Sequence, residues 1–387
     1  VVFRVNGRRL AVRRRAPYVA RLDTRRLRNG RHLLRATAYD GAGNHRSRVV
    51  RFVVRNDKHR SQRPAQPQQE RQTASAPAVG SSGGVGTFAP VPITGTTYYV
   101  SSTGSDTNDG TSPQRAWRTV RQANRAVLQP GDGILFEAGV EFSDDTLMPG
   151  RGGAPGKPIV YGSFGQGRAV LPKGVWFRGK SDFAFQNLSA PGAQAGIQGH
   201  GDRVTVQGTV LERNGMGIYA EGDDWTIEAN HVDGSGDSGM ILLGQRHTVR
   251  ANLITDTGID PAIAYGKHGI YLKVADATVV QNTIRGFHAN GISVRFRDSL
   301  VERNTISQGP IGIGWFQNDP AAGTSTWRNN DISQTTAAGI YVSRSDSAGP
   351  TRESFVIVDN RIDPARGAYM DLTATQGTFS VSGNLEV

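Results

Sequence analysis

The chain of 387 residues contains no cysteine. Disulfides and thiolate metal sites are thereby excluded, and the absence suits an exported bacterial protein, extracellular or at the cell surface. No run of about 18 consecutive apolar residues occurs, so no transmembrane helix is expected. Val1-Val2-Phe3-Arg4 reads as the middle of a strand and not as a signal peptide, so the sequence is expected to begin inside a longer one. Aromatics are sparse at 7%. Glycine is not: 49 residues fall at regular intervals inside the apolar pattern, as tight turns require.

Acidic residues are scarce in one region only. Residues 1–72 carry 20 Lys+Arg against 4 Asp+Glu, leaving 25 against 29 for residues 73–387, so the net charge of +12 belongs to the N-terminal segment. Two readings stand, adhesion to an anionic surface or polymer and a solvated Arg-rich surface. No recognised nucleic-acid motif accompanies the charge, so nucleic-acid binding is not expected.

What is present is a repeat. Gly269-Ile270-Tyr271-Leu272-Lys273 and Gly291-Ile292-Ser293-Val294-Arg295 lie 22 residues apart. Each is followed by a third apolar stretch, Thr278-Val279-Val280 or Ser299-Leu300-Val301, and then by Asn-Thr-Ile at Asn282 and Asn304. The first element recurs at Gly196, Gly217, Gly239, Gly312 and Gly339, and the asparagine at Asn230, Asn252, Asn330, Asn360 and Asn384. Three strand-length runs per repeat, with β-branched residues on alternate positions, exclude helices. They predict an all-β fold, a right-handed parallel β-helix whose rungs bury Ile, Val and Leu against one another. The recurrent Asn is expected to tolerate the left-handed conformation at a turn and to build an internal side-chain ladder.

Three regions follow. Residues 1–55 alternate in short strands around Asn6-Gly7, Asn29-Gly30 and Gly41–Asn44, including one near Leu22, as in an antiparallel sandwich. Asn29-Gly30-Arg31-His32 with Ala38-Tyr39-Asp40 and Ala42-Gly43-Asn44 resembles bacterial Ig-like modules of secreted polysaccharide enzymes, here short by at least one strand. Residues 56–95, rich in Pro, Gln, Ser and Gly, read as a flexible linker. Residues 96–387 are the solenoid, with rungs from about Ile134. Asp106, Asn108 and Asp109 lack the closing glutamate of an EF-hand, which favours an Asx-bonded turn. Residues 114–128 place Trp117, Val120, Ala123 and Val127 near helical spacing, predicting a short helix that caps the open end. The order Tyr98-Tyr99-Val100, Gly104-Ser105-Asp106, Trp117-x-Thr119 and Pro130-Gly131-Asp132 resembles the entry segment of secreted pectate-lyase-like β-helices.

In the second strand of each rung the residue between the inward pair points out. One outward column is then Tyr219, Ile241, Tyr271, Ser293, Gly314 and Tyr341, and the next is Glu221, Leu243, Lys273, Arg295, Phe316 and Ser343. Adjacent cations Lys273 and Arg295 repel unless an anion binds between them, which points to an acidic sugar. Most rungs take 21 or 22 residues, but Asn252 to Asn282 takes 30, and the coils from Asn304 to Asn330 and from Asn330 to Asn360 are also long. The extra loop carries Asp256, Asp260, Tyr265 and Lys267 into the strand of Lys273, and long loops on rigid scaffolds concentrate function. Trp315, Phe316 and Tyr341 offer an aromatic floor for sugar rings.

Leu272-Lys273-Val274, Val294-Arg295-Phe296-Arg297 and Val301-Glu302-Arg303-Asn304 resemble lyases of the alginate lyase and chondroitinase B type. Those lyases end one strand in Lys-Ser and the next in Arg-His-Gly. The resemblance implies β-elimination on a uronate-containing polysaccharide, with Lys273 as base and Arg295 as acid or electrostatic partner. Its neighbouring cation favours the neutral amine that a basic lysine needs. Arg297 falls within the same stretch, and His268, Tyr271 and His288 are further proton carriers. The carboxylate which that family sets before its lysine, near calcium, is replaced by His268-Gly269. Calcium stays an option and no metal ligand is assigned. A monomer is expected, and three other readings remain: a C5-epimerase with the same groups, a glycoside hydrolase using Asp256 and Asp260 with Glu221 or Asp237, and a binding or adhesin solenoid without catalysis. Deleting residues 1–72 is expected to weaken retention on a cation exchanger while leaving catalytic activity intact; loss of activity with the segment would overturn its tethering role.

Overall fold

The computed structural model describes residues 2–6, 8–12, 28, 30–39, 45–54, 86–263, 266–319, 321–343, 345–346, 349–372 and 376–387. They fall into two units, divided between Ala76 and Pro77. In the first, strands Val2–Val5, Arg8–Val12, Gly30–Tyr39 and His45–Val54 form one antiparallel sheet. Among the described residues this is a single sheet and not a sandwich. The strand expected near Leu22 lies outside the described residues.

The second unit is a parallel coil of three strand faces. One rung reads Thr226–Glu228 on the first face, His231–Asp233 on the second and Met240–Gln245 on the third. The first face is a sheet of twelve strands, from Thr97–Val100 to Phe379–Ser382. The coil thus begins at Thr97, earlier than the expected Ile134. Inward residues stack in file: Ile227, Val249, Val279, Val301, Trp327 and Ile357 are register partners, all fully buried. Among the described residues no helix is long and apolar enough to cross a membrane.

From Asn230 to Asn360 the corners between the first and second faces hold buried asparagines. Asn230 Nδ2 donates to Asn252 Oδ1 at 3.0 Å, Asn252 to Asn282 at 2.9 Å and Asn282 to Asn304 at 2.9 Å. The series continues through Asn330 and Asn360 to Asn384. Each Nδ2 also donates to a carbonyl, as Asn282 does to Val249 at 2.9 Å, and each Oδ1 accepts a backbone N–H from the rung before. The left-handed residue is not the asparagine but the one preceding it: Ala229, Ala251, Gln281, Arg303, Asn329 and Asp359 all have φ of 52–58°. That conformation costs a residue with a Cβ about 1–2 kcal/mol. The asparagine bonds, made in a site without water, offset the cost.

The two sequence repeats meet inside the coil. A Cβ on Gly269 would overlap Ile284, and one on Gly291 would overlap Ile306. Each of these isoleucines stands two residues after a ladder asparagine. The glycine of one element is therefore required by the isoleucine of the other.

At the entry, Thr119 Oγ1 accepts the Gln122 N–H and opens a helix confined to Val120–Arg125. Val120 and Ala123 are buried there with Val100 and Ile134, whereas Val127 is exposed. Trp117 is not helical; it bridges Val100 and stacks on Tyr98 with centroids 5.0 Å apart. Asp109 Oδ1 accepts the Thr111 N–H as in an Asx turn, whereas Asp106 accepts the N–H groups of Arg118 and Thr119 from the segment that follows. Residues 86–95, assigned to the linker from composition, lie against the coil: Val91 N–H donates to Gln186 Oε1 and Gln207 Nε2 to the Ala89 carbonyl.

Replacing Asn282 by Ala removes the acceptor of the Asn252 N–H and amide and the donor to Val249. With each orphaned group costing about 1–3 kcal/mol, a loss near 3 kcal/mol is expected in urea denaturation. Asn384→Ala, at the open end of the ladder, is expected to cost less. Equal costs at the two positions would contradict a cooperative ladder.

Candidate active site

The third face carries the candidate residues. Tyr219, Ile241, Tyr271, Ser293, Gly314 and Tyr341 are register partners in one outward column. The second column runs Arg178, His200, Glu221, Leu243 and Lys273. Arg295 extends it, its N–H donating to the Leu272 carbonyl at 2.9 Å, and Phe316 follows by donating to Val294 at 3.0 Å. The strand of Lys273 spans Ile270–Ala275, with Ile270, Leu272 and Val274 inward and Tyr271 and Lys273 half-buried on the outside.

Tyr271 is the centre of this surface. Lys273 Nζ lies 5.6 Å from its ring centroid and Arg295 Cζ 5.0 Å. Arg295 is held between two rings, with Phe316 at 4.6 Å on its other side, and its Nε donates to Ser293 Oγ at 3.2 Å. Phe316 in turn packs against Tyr341, with centroids 5.3 Å apart. Guanidinium and ammonium over aromatic faces are attracted by the ring quadrupole, which lets two like charges share one phenol. Among the described residues no carboxylate forms an ion pair with Lys273.

His268 stacks on Tyr271, with ring centroids 5.2 Å apart and an interplanar angle of 13°. It is buried, and its Nδ1 accepts the Asn290 N–H at 3.2 Å. Burial, with Arg295 adding to it, lowers its pKa to about 3. His268 is therefore a neutral support beneath Tyr271 rather than a proton carrier in the groove. Trp315 is also corrected: alternation turns it inward, where it is buried edge-on to Phe355 at 5.3 Å, so the floor consists of Phe316 and Tyr341. Arg297 lies past the strand end at the next corner, paired with Asp319 at 2.8 Å and Asp298 at 3.2 Å.

The long insertion spans 258–269. Asp260 Oδ1 accepts the Ala262 N–H at 2.8 Å, an Asx turn, and Asp256 adopts φ 50°. Asp237 accepts the Lys267 N–H at 3.1 Å and the Ser238 hydroxyl at 3.0 Å, pinning the loop's return. His288 is exposed, with Nδ1 2.9 Å from the Thr257 carbonyl. Tyr265 lies outside the described residues. Among the described residues no three His, Asp or Glu converge as a cation site needs.

One cluster went unnoticed in the sequence. His200 Nδ1 lies 3.0 Å from Glu221 Oε2, which also accepts the Tyr219 hydroxyl at 3.2 Å. The signal was the register, His200 standing one rung before Glu221 in the same column.

Residues 254–385 match the family described as right handed beta helix region. The fold is a right-handed parallel β-helix. Over 90 residues, 21% of the chain, this β-helix protein is 40% identical to a lacto-N-biosidase of Bifidobacterium longum subsp. longum. That match spans 6% of the relative's length. Among solved structures, the GH136 lacto-N-biosidase from Eubacterium ramulus is similar with TM-score 0.57 at 16% identity, over 75% of this chain and 67% of that one. XylC in complex with xylose gives 0.58 at 11% identity, over 70% and 69%. The pectate lyase Pel9A gives 0.52 at 16%, over 74% and 80%. At such identities the likeness to the solved structures is one of fold.

His268 and His247, the latter buried with a pKa lowered to about 4, stay neutral in the fold. The unfolded chain takes their protons first, so their contribution is full above pH 6.5 and is lost as pH falls toward 4 and then 3. Each histidine is expected to lower the unfolding free energy by about 1.4 kcal/mol per pH unit across that window. His268→Asn keeps an acceptor for Asn290 and is expected to flatten the slope by one such increment; an unchanged slope would refute the assignment.

Proposed function

We propose that this β-helix is a carbohydrate-active enzyme whose groove over Tyr271, Lys273 and Arg295 cleaves a uronate-containing glycan by β-elimination. The observation that carries the reading is the pair of cations over one phenol, with Arg295 clamped between Tyr271 and Phe316. Arg295, which stays charged, meets the uronate carboxylate and stabilises the enolate-like charge that develops on it. Lys273 acts as the base that removes the C5 proton. The C5–H electron pair forms the C4–C5 double bond while the C4–O bond breaks. The leaving oxygen takes its proton from the Tyr271 hydroxyl, whose incipient phenolate lies among the two cations. Phe316 and Tyr341 support a sugar ring beside the cleaved bond.

Hydrolysis is the second reading, favoured by the 40% identity to a lacto-N-biosidase. It needs two carboxylates across a cleft. Asp260 closes an Asx turn, Asp237 holds the Lys267 N–H and Asp256 occupies a left-handed backbone position at a strand end, which counts against them as that pair.

Acidic glycans incubated with the protein are expected to give the ultraviolet absorbance of an unsaturated uronate. Lys273→Ala is expected to lose it by about 10²–10⁴-fold. Reducing ends without that absorbance, abolished in Asp256→Asn or Asp260→Asn, would establish hydrolysis instead. Full activity in Lys273→Ala would remove Lys273 as the base.

A further inference from the structure

The groove face is polarised along the solenoid axis. At one end stand Lys273 and Arg295; two rungs earlier in the same column stands Glu221. With parallel strands about 4.8 Å apart, the two charged positions are separated by roughly 10 Å. The rung between presents only Ile241 and Leu243, both half-buried aliphatic side chains. Glu221 is held in place on one side: its Oε2 meets the Tyr219 hydroxyl and His200 Nδ1, and the His200 and Tyr219 rings lie 5.5 Å apart. Burial, followed by the charge of Glu221, raises the Tyr219 pKa, so the phenol stays protonated and donates. Among the described residues nothing donates to Glu221 Oε1, and half of its side chain is open to solvent. Arg178, exposed, follows beyond His200.

We propose that Glu221, positioned by Tyr219 and His200, is a subsite for an uncharged, hydroxyl- or amide-bearing sugar, and that it makes this face select glycans in which the second unit along from the uronate is uncharged. The inference rests on the reading of Lys273 and Arg295 as the uronate site. The spacing of the rungs is comparable to the advance of an extended glycan per sugar unit, so a chain lying along the axis reaches both positions. Its acidic unit sits over the cations, its neighbour lays an apolar face on Ile241 and Leu243, and a following unit meets Glu221. A hydroxyl or amide N–H there donates to the free oxygen. A second carboxylate there faces a like charge, which is destabilising at this proximity. The arrangement also fixes which way the chain runs.

The test measures binding of the full chain to two probe polymers at low salt by calorimetry, polygalacturonate with consecutive uronates and deacylated gellan, whose linear repeat holds one uronate and three neutral sugars. Glu221→Gln keeps the shape and removes the charge. It is expected to tighten polygalacturonate about two- to fivefold and to weaken gellan or leave it unchanged, so that the ratio of the two affinities shifts by at least that factor. The gain on polygalacturonate is expected to vanish in high salt. An unchanged ratio, an equal shift on both polymers, or binding of neither overturns the subsite. Failure of the elimination reading shows separately: absence of unsaturated product from both polymers in the wild type removes the lyase chemistry, whereas the affinity ratio still reports on Glu221.

Discussion

A file of buried asparagine amides sets the pitch of this molecule. An amide offers an acceptor and two donors in one plane, and here all are used: the oxygen takes a backbone N–H and a side-chain N–H, and the nitrogen reaches a carbonyl and the next asparagine. Because an unpaired amide without water is costly, no rung can slip relative to its neighbours without breaking several bonds at once. The ladder also accounts for the left-handed Ala, Gln, Arg and Asp residues that precede it, which the backbone would otherwise avoid. The tight approach of Gly269 to Ile284 and of Gly291 to Ile306 then locks the third face to the same pitch.

A fixed pitch converts sequence spacing into surface chemistry. Inward and outward residues alternate strictly, so Leu272 and Val294 enter the core while Tyr271, Lys273 and Arg295 face solvent. The insertion between Asn252 and Asn282 does not disturb the ladder, since those two side chains still bond at 2.9 Å. Its extra residues are taken up in a loop beside Tyr271, tied down by Asp237 and Asp260. The third face therefore combines a rigid floor with one elaborated edge. The neutral His268 beneath Tyr271 belongs to that floor, because a charged imidazole there would face Arg295 across a buried site.

Much of this was legible in the sequence. The period of the Gly-Ile and Asn elements determined the parallel coil, the ladder, and the two outward columns that bring Lys273 beside Arg295, because a strict two-residue alternation and a fixed rung leave a repeat few other ways to bury its Ile, Val and Leu. Tertiary structure decided the rest. Trp315 looked like a platform until alternation turned it inward, and His268 looked like a proton carrier until burial made it a neutral support. Residues 86–95 had a linker's composition, yet Gln186 and Gln207, about a hundred positions away in sequence, supply their backbone partners. The pairing of His200 with Glu221 and the clamp of Phe316 on Arg295 likewise depend on side-chain directions across rungs. Periodicity fixes which residues share a face. Which of them touch, and which lose water, is set by packing between segments that the sequence leaves far apart.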